Sequence, residues 1–246
     1  MTRKHALITG GAGFIGGHIA EGLAAEGHEI TVLDNFEPYY DLGIKEHNVD
    51  TARRAAENNG GEYELVDDSI TNAEVVDDLV SDIDVLYHQA AQAGVRKSVE
   101  EPAKVNSYNM DGTINVLEAA RKHDIERAVI ASSSSVYGKP EYLPYDEGHP
   151  TTPVSPYGVS KLATEQYARV YNEIYGLPTV SLRYFTVYGH ECARTWRSRT
   201  SSRGVSTANP QSSMATAHRH VTSRTKTTSS GSTDNFSLTT VPMERS

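Results

Sequence analysis

Tyr157 and Lys161 stand four residues apart in Tyr157-Gly158-Val159-Ser160-Lys161, and Ser133 lies upstream in Ser132-Ser133-Ser134-Ser135-Val136-Tyr137-Gly138. On a helix this spacing puts the phenol and the ammonium on one face. A nearby positive charge favours the phenolate, drawing a pKa ordinarily near ~10 toward working pH. Tyr157 is therefore a candidate general base or acid. Ser133, carried at a strand end, can donate to the same oxygen or to a substrate oxygen. Either feature in isolation is common on helices and in loops; their joint order, strand end then helix start, carries the chemistry.

A second set of residues binds rather than reacts. Thr9-Gly10-Gly11-Ala12-Gly13-Phe14-Ile15-Gly16 follows an apolar run, and Glu29-Ile30-Thr31-Val32-Leu33-Asp34 closes on an acid. Strand, glycine-rich turn, helix and acid-tipped strand are the parts of a dinucleotide cradle. The glycines let the backbone approach a pyrophosphate, and the helix start offers it unpaired N–H groups. A carboxylate at Asp34 can accept from an adenosine ribose and would repel a 2′-phosphate, which favours NAD over NADP.

These sites must be positioned by the elements around them. Residues 1–189 alternate apolar strand runs with helical patterns, predicting an α/β fold with a Rossmann-type doubly wound parallel sheet. Strands are expected at Tyr63-Glu64-Leu65-Val66, Asp84-Val85-Leu86-Tyr87-His88, Arg127-Ala128-Val129-Ile130-Ala131 and Thr179-Val180-Ser181-Leu182-Arg183-Tyr184. Helices are expected near 73–80, around Ile114, Leu117 and Ala120, and from about Tyr157 to Tyr175, the last after a loop from Gly138 to Pro156. His47, His123 and His149 lack ligand spacing and are expected at the surface, with no metal site.

Bulk properties narrow the setting. No stretch reaches the roughly 18 to 20 apolar residues of a membrane span, and the N-terminus enters its first strand without room for a signal peptide. The single cysteine, Cys192, excludes an intrachain disulfide, so a cytoplasmic location is expected. The net charge of −9 divides unevenly: residues 1–189 hold 15 basic against 29 acidic residues, and residues 190–246 hold 8 against 3. The acidic first part argues against nucleic-acid binding there.

Taken together, the turn, the serine run and the Tyr/Lys pair resemble the extended short-chain dehydrogenase/reductase family, and within it the NAD-dependent nucleotide-sugar epimerases and dehydratases. The resemblance covers residues 4–189 and includes His88-Gln89-Ala90-Ala91-Gln92 and Asn109-Met110-Asp111-Gly112-Thr113. It implies NAD held by Gly10, Gly13, Phe14, Ile15, Gly16, Asp34 and Asn35, with Ser69 and Ile70 at the adenine. Ser69 replaces the usual aspartate there. Ala90, Ala91 and Gln92 would lie beneath the nicotinamide, with Asn109, Tyr157, Lys161 and Tyr184 also on the cofactor. Ser133, Tyr157 and Lys161 would be catalytic, and Ser133, Ser134 and Thr186 would meet the substrate.

The branch of the family follows from position. Related dehydratases place Asp and Glu after the active serine or threonine, and related decarboxylases keep the Glu; Ser134 and Ser135 stand there instead. Dehydration and decarboxylation lose their acid and base, whereas 4-epimerisation of a UDP-sugar needs only Ser133, Tyr157, Lys161 and NAD. In that reaction Tyr157 takes the proton of the sugar C4 hydroxyl while the hydride passes to NAD, and the hydride returns to the opposite face. Asn35-Phe36-Glu37-Pro38-Tyr39-Tyr40-Asp41, Gln92-Ala93-Gly94-Val95-Arg96 and Thr186 resemble UDP-glucuronate more than UDP-glucose 4-epimerases. A nucleotide-sugar reductase and a non-catalytic NAD-binding module remain as alternatives. The family resemblance also implies a homodimer formed through helices near Asp111 and Tyr157.

After Gly189 the pattern breaks. Residues 190–246 hold 23 Ser or Thr and show no apolar periodicity, a composition that cannot offset the entropy of ordering. Taking each new codon from the third base of one codon and the first two of the next, with third bases free, turns the sequence from Gly189 into Pro-Arg-Val-Arg-Pro-Asn-Met-Ala. Such epimerases continue with a Pro-Arg-x-Arg-Pro run at this place. Residues 190–246 therefore read as a frameshifted translation, so that the C-terminal substrate-binding part is missing or replaced. The rival reading is a basic tail that binds nucleic acid.

Overall fold

The computed structural model describes residues 2–188; the expectations for Gly189 and for residues 190–246 lie outside the described residues. Strands β1 (His5–Thr9), β2 (Glu29–Leu33), β3 (Tyr63–Val66), β4 (Val85–His88), β5 (Arg127–Ser133) and β6 (Thr179–Tyr184) form one sheet in the order β3-β2-β1-β4-β5-β6. Every pairing is parallel. This is the doubly wound arrangement that the strand–helix alternation predicts.

Parallel strands buried on both faces need apolar residues at successive positions. On β1, Ala6 and Ile8 point to one face and join Ile30, Val32, Ala20, Ala24, Ala52 and Ala56. The four alanines come from helices α1 (Phe14–Ala25) and α2 (Leu42–Asn58), which cover that face. Leu7 points the other way, with Leu86 and Ile130, onto Val76, Val80, Leu117, Ala168 and Tyr171. Those last five residues belong to α3 (Ala73–Val80), α6 (Gly112–Lys122) and α7 (Pro156–Tyr175). Between β4 and α6 run the short helices α4 (Val95–Glu100) and α5 (Pro102–Asn106) and a π turn at Ser107–Asp111.

Local signals explain the helix that matters most. Helix α7 begins at Pro156, one residue before the expected start, because the Ser155 hydroxyl accepts the Gly158 N–H at 3.1 Å. Proline at the first position loses no helical bond. The helix ends at Gly176, whose left-handed φ of 75° closes the last turn.

Helix α2 was hidden in the sequence because its buried stripe consists of Lys45, Asn48, Val49, Ala52 and Ala56, small and polar residues without a strong apolar period. His149 departs from its expected surface place and is buried. Its Nδ1–H donates to Pro150 O at 2.9 Å, and its Nε2 accepts the Glu141 N–H at 3.1 Å. The ring packs among Tyr137, Tyr142 and Tyr145, pinning the loop between Ser133 and Tyr157. His123 is half-buried against Asp77, and His47 is exposed. Among the described residues, no helix is long and apolar enough to cross a membrane.

Candidate active site

The carboxyl ends of the strands open into a cleft of about 390 Å³. It lies where β1 has β2 on one side and β4 on the other, the place where open parallel sheets bind ligands. Most residues expected from sequence converge on it: Gly10, Gly13, Phe14, Ile15, Gly16, Asp34, Asn35, Ser69, Ile70, Ala90, Ala91, Gln92, Ser133, Tyr157, Lys161 and Tyr184.

Three expected site residues stand elsewhere. Asn109 is buried behind the wall, where its side chain is committed to Gln92 and Ser160, so it braces the cleft rather than lining it. Ser134 is half-buried at the start of the turn after β5. Thr186 is exposed, while its neighbours Phe185 and Val187 line the cleft.

The glycine turn is built for close approach. Gly10 has φ +71°, and a Cβ on it would lie 2.7 Å from Ala90 N. A Cβ on Gly16 would meet Gly10 O at 2.3 Å. Gly13 precedes α1 without a side-chain cap, which leaves the first-turn N–H groups facing the cleft.

Asp34 lines the cleft as expected, and it already has partners within the protein. Lys45 of α2 donates to its Oδ1 at 2.9 Å, with both side chains buried. Ala12 N–H and Phe36 N–H add bonds of 3.2 and 2.9 Å to the same carboxylate. The charge at the ribose end is therefore compensated from within, which weakens the argument that Asp34 alone repels a 2′-phosphate. Lys45 also lines the cleft. No short-range signal ties it to Asp34, because the pairing forms only when α2 packs behind the turn.

Ser133, Tyr157 and Lys161 come together at the other end. The electrostatics correct the sequence argument. Burial pushes the Tyr157 phenol above its ordinary value, and the Ser133 hydroxyl beside it acts in the opposite direction. The Lys161 ammonium is committed elsewhere: its Nζ donates to Ala131 O at 2.7 Å. Burial lowers Lys161 from 10.5 to about 8, while Glu165 one turn along opposes that shift. Desolvation, which spacing along a helix does not report, is the largest effect on the phenol.

A buried brace supports this end. Arg183 of β6 grips Glu165 of α7 through Nε at 2.9 Å and Nη2 at 2.8 Å, and Ser132 donates to Glu165 Oε1 at 2.5 Å. The fork ties α7 to β6, and Ser132 ties the same carboxylate to the end of β5. Neither Glu165 nor Arg183 was singled out from sequence, since the pair is 18 residues apart and joined only in three dimensions.

Two features test whether a dinucleotide fits. A Cβ at Gly10 or Gly16 would strike the protein's own backbone, so the turn stays bare where it lines the cleft. The Gln89 amide and the Tyr184 hydroxyl, both in the cleft wall, are buried beside each other, and no other protein group meets them at hydrogen-bonding geometry. Burial also pushes the Tyr184 phenol up to about 12, against the influence of Gln89. Buried groups of this kind call for a partner, and an amide-bearing ring would supply one.

The NAD dependent epimerase/dehydratase family matches residues 6–212. The chain belongs to that family. A UDP-glucuronate 4-epimerase of Arabidopsis thaliana is 40% identical over 187 residues, covering 74% of this chain and 41% of its own. The crystal structure of UDP-glucuronic acid 4-epimerase from Bacillus cereus, in complex with UDP-glucuronic acid and NAD, superposes with a TM-score of 0.67 at 34% identity; the match covers 75% of this chain and 57% of that one. UDP-glucose 4-epimerase of Thermus thermophilus, in complex with NAD, gives 0.65 at 39% identity, covering 75% and 56%. The chain thus spans about half the length of these relatives. Among the described residues no cluster of His, Cys, Asp or Glu could hold a metal ion.

Proposed function

We propose that residues 2–188 are the cofactor-binding and catalytic half of an NAD-dependent UDP-sugar 4-epimerase, with UDP-glucuronate favoured over UDP-glucose. The observation that carries this reading is the convergence of Ser133, Tyr157 and Lys161 on one cleft with the glycine cradle, without a carboxylate at Ser134 or Ser135. The cradle and the Gln89–Tyr184 wall suit NAD, held along Gly10–Gly16, Asp34 with Lys45, Ser69, Ile70 and Ala90–Gln92. When bound, NAD supplies a reversible two-electron oxidation of the sugar carbon. Tyr157 must be ionised to accept the C4 hydroxyl proton and then returns it; burial opposes that ionisation and the Ser133 hydroxyl favours it, while also holding the sugar oxygen. Lys161, fixed on Ala131 O, keeps a positive charge below the reacting centre. Exposed Val95 and Val99 on α4 and Val159 and Tyr167 on α7 support a homodimer; light scattering on the purified protein checks it.

The second half of the site is the part that residues 190–246 replace. The likeness to the Arabidopsis enzyme covers 187 residues, close to the length before Gly189, while the family match continues to residue 212. Sequencing the gene across the Gly189 codon tests the frameshift directly, and an intact frame ending in this tail would sink it. The functional test compares the chain as it stands with its frame-restored counterpart. The restored protein should interconvert UDP-glucuronate and its C4 epimer without added cofactor, and the present chain should not. Strict dependence of the restored protein on added NAD(P)H would make it a reductase instead.

A further inference from the structure

His88, at the carboxyl end of β4, is wholly buried and takes no part in the chemistry above. Its two ring nitrogens meet hydroxyls: Nδ1 lies 2.7 Å from Thr9 Oγ1, and Nε2 lies 3.0 Å from Thr113 Oγ1. The roles follow by elimination. Thr113 gives its only hydroxyl proton to Asn109 O at 2.6 Å, and a carbonyl can only accept. Thr113 Oγ1 must therefore accept from His88, so Nε2 carries the proton. In the neutral ring Nδ1 is then bare and takes the Thr9 hydroxyl proton, which leaves Thr9 Oγ1 to accept the Ala90 N–H at 3.3 Å.

The protons all point one way: Ala90 N–H to Thr9, Thr9 to His88, His88 to Thr113, and Thr113 to Asn109. Asn109 continues the link with its side chain. Its Oδ1 accepts the Gln92 N–H at 2.8 Å, and its Nδ2 donates to Ser160 Oγ at 2.9 Å. Ser160 in turn donates to the carbonyl of Tyr157 at 2.8 Å. A cooperative chain of this kind contains no charge to desolvate, and each bond polarises the next. Burial, reinforced by the Lys161 ammonium, lowers His88 from 6.5 to about 3, so the ring stays neutral.

We propose that His88, held as its neutral Nε2–H tautomer, is a positioning residue that ties the Ala90–Gln92 loop to the helix bearing Tyr157. The tautomer stands on the hydrogen-bond geometry together with the burial that keeps the ring neutral, and only its effect on cofactor binding rests on the proposed NAD site. Long-range 1H–15N NMR of the full chain labelled in histidine tests it. His88 should show a protonated Nε2 and a bare Nδ1, unchanged from about pH 5 to 8. An Nδ1–H tautomer, or a His88 titration within that range, would overturn the proposal. Thr113→Ser keeps the hydroxyl and should preserve both signals, with NAD affinity within about twofold of wild type. Thr113→Val removes the acceptor and should shift the His88 signals and weaken NAD binding about tenfold. Unchanged His88 signals in Thr113→Val would also overturn the relay. If wild type shows the expected tautomer but does not itself bind NAD, the relay stands and the cofactor reading fails.

Discussion

Replacing Lys45 with methionine removes the ammonium that compensates Asp34 while keeping most of the side chain's volume. The pair is 2.9 Å apart, with side chains only 8% and 5% exposed. Breaking a buried ion pair from one side costs about 3–5 kcal/mol, because the remaining charge stays buried without its partner. Asp34 keeps the Ala12 and Phe36 N–H donors, which places the expectation near the lower end, about 3 kcal/mol. For a domain of this size each kcal/mol shifts the melting temperature by about 2–4 °C, so Lys45→Met should melt roughly 6–12 °C below wild type. The double variant Asp34→Asn/Lys45→Met leaves no net charge and should recover to within about 1 kcal/mol. Circular dichroism melts of wild type, both single variants and the double variant form the cycle. The same Lys45 substitution should increase the preference for NAD over NADP, since an uncompensated Asp34 repels a 2′-phosphate more strongly. A Lys45→Met protein melting within about 2 °C of wild type, or a double variant no better than that single, would refute the reasoning.

Three further outcomes follow from the same geometry. Gly16→Ala drives a Cβ to 2.3 Å from Gly10 O and should weaken NAD binding at least about tenfold by calorimetry, because backbone cannot yield there cheaply. Lys161, lowered from 10.5 to about 8, holds fewer protons folded than unfolded between those values, so its contribution to stability rises with pH across that window. Below about 8 the buried charge opposes folding in full; the melting-temperature difference between Lys161→Met and wild type should therefore favour the variant more at about pH 7 than at about pH 10, and a pH-independent difference would contradict this. His149→Ala removes a buried ring and two hydrogen bonds, and should cost about 2–4 kcal/mol in urea unfolding while opening residues 138–156 to proteolysis.

The sequence was legible where a feature depends on neighbours along the chain. The glycine turn, the acid-tipped strand and the four-residue spacing of Tyr157 and Lys161 are local, and each strand end on which they depend is a continuous apolar run. It was silent where the partner comes from another element. Lys45 reaches Asp34, Arg183 grips Glu165, and His88 joins Thr9 to Thr113 only after the helices pack. Helix α2 escaped notice because alanines and buried polar residues replace a strong apolar stripe. His149 looked like a surface histidine because its aromatic neighbours, Tyr137 above all, are brought to it by the fold of the loop. The direction of the Tyr157 shift was missed for a related reason: spacing reports which charges are near, whereas desolvation depends on everything packed around the phenol.

Isothermal calorimetry of the purified full chain with NAD tests the central claim most directly. The account predicts saturable binding at one site per chain, retained in Tyr157→Phe and lost or sharply weakened in Gly16→Ala. Absence of saturation at millimolar NAD, or equal affinity in Gly16→Ala, would contradict it.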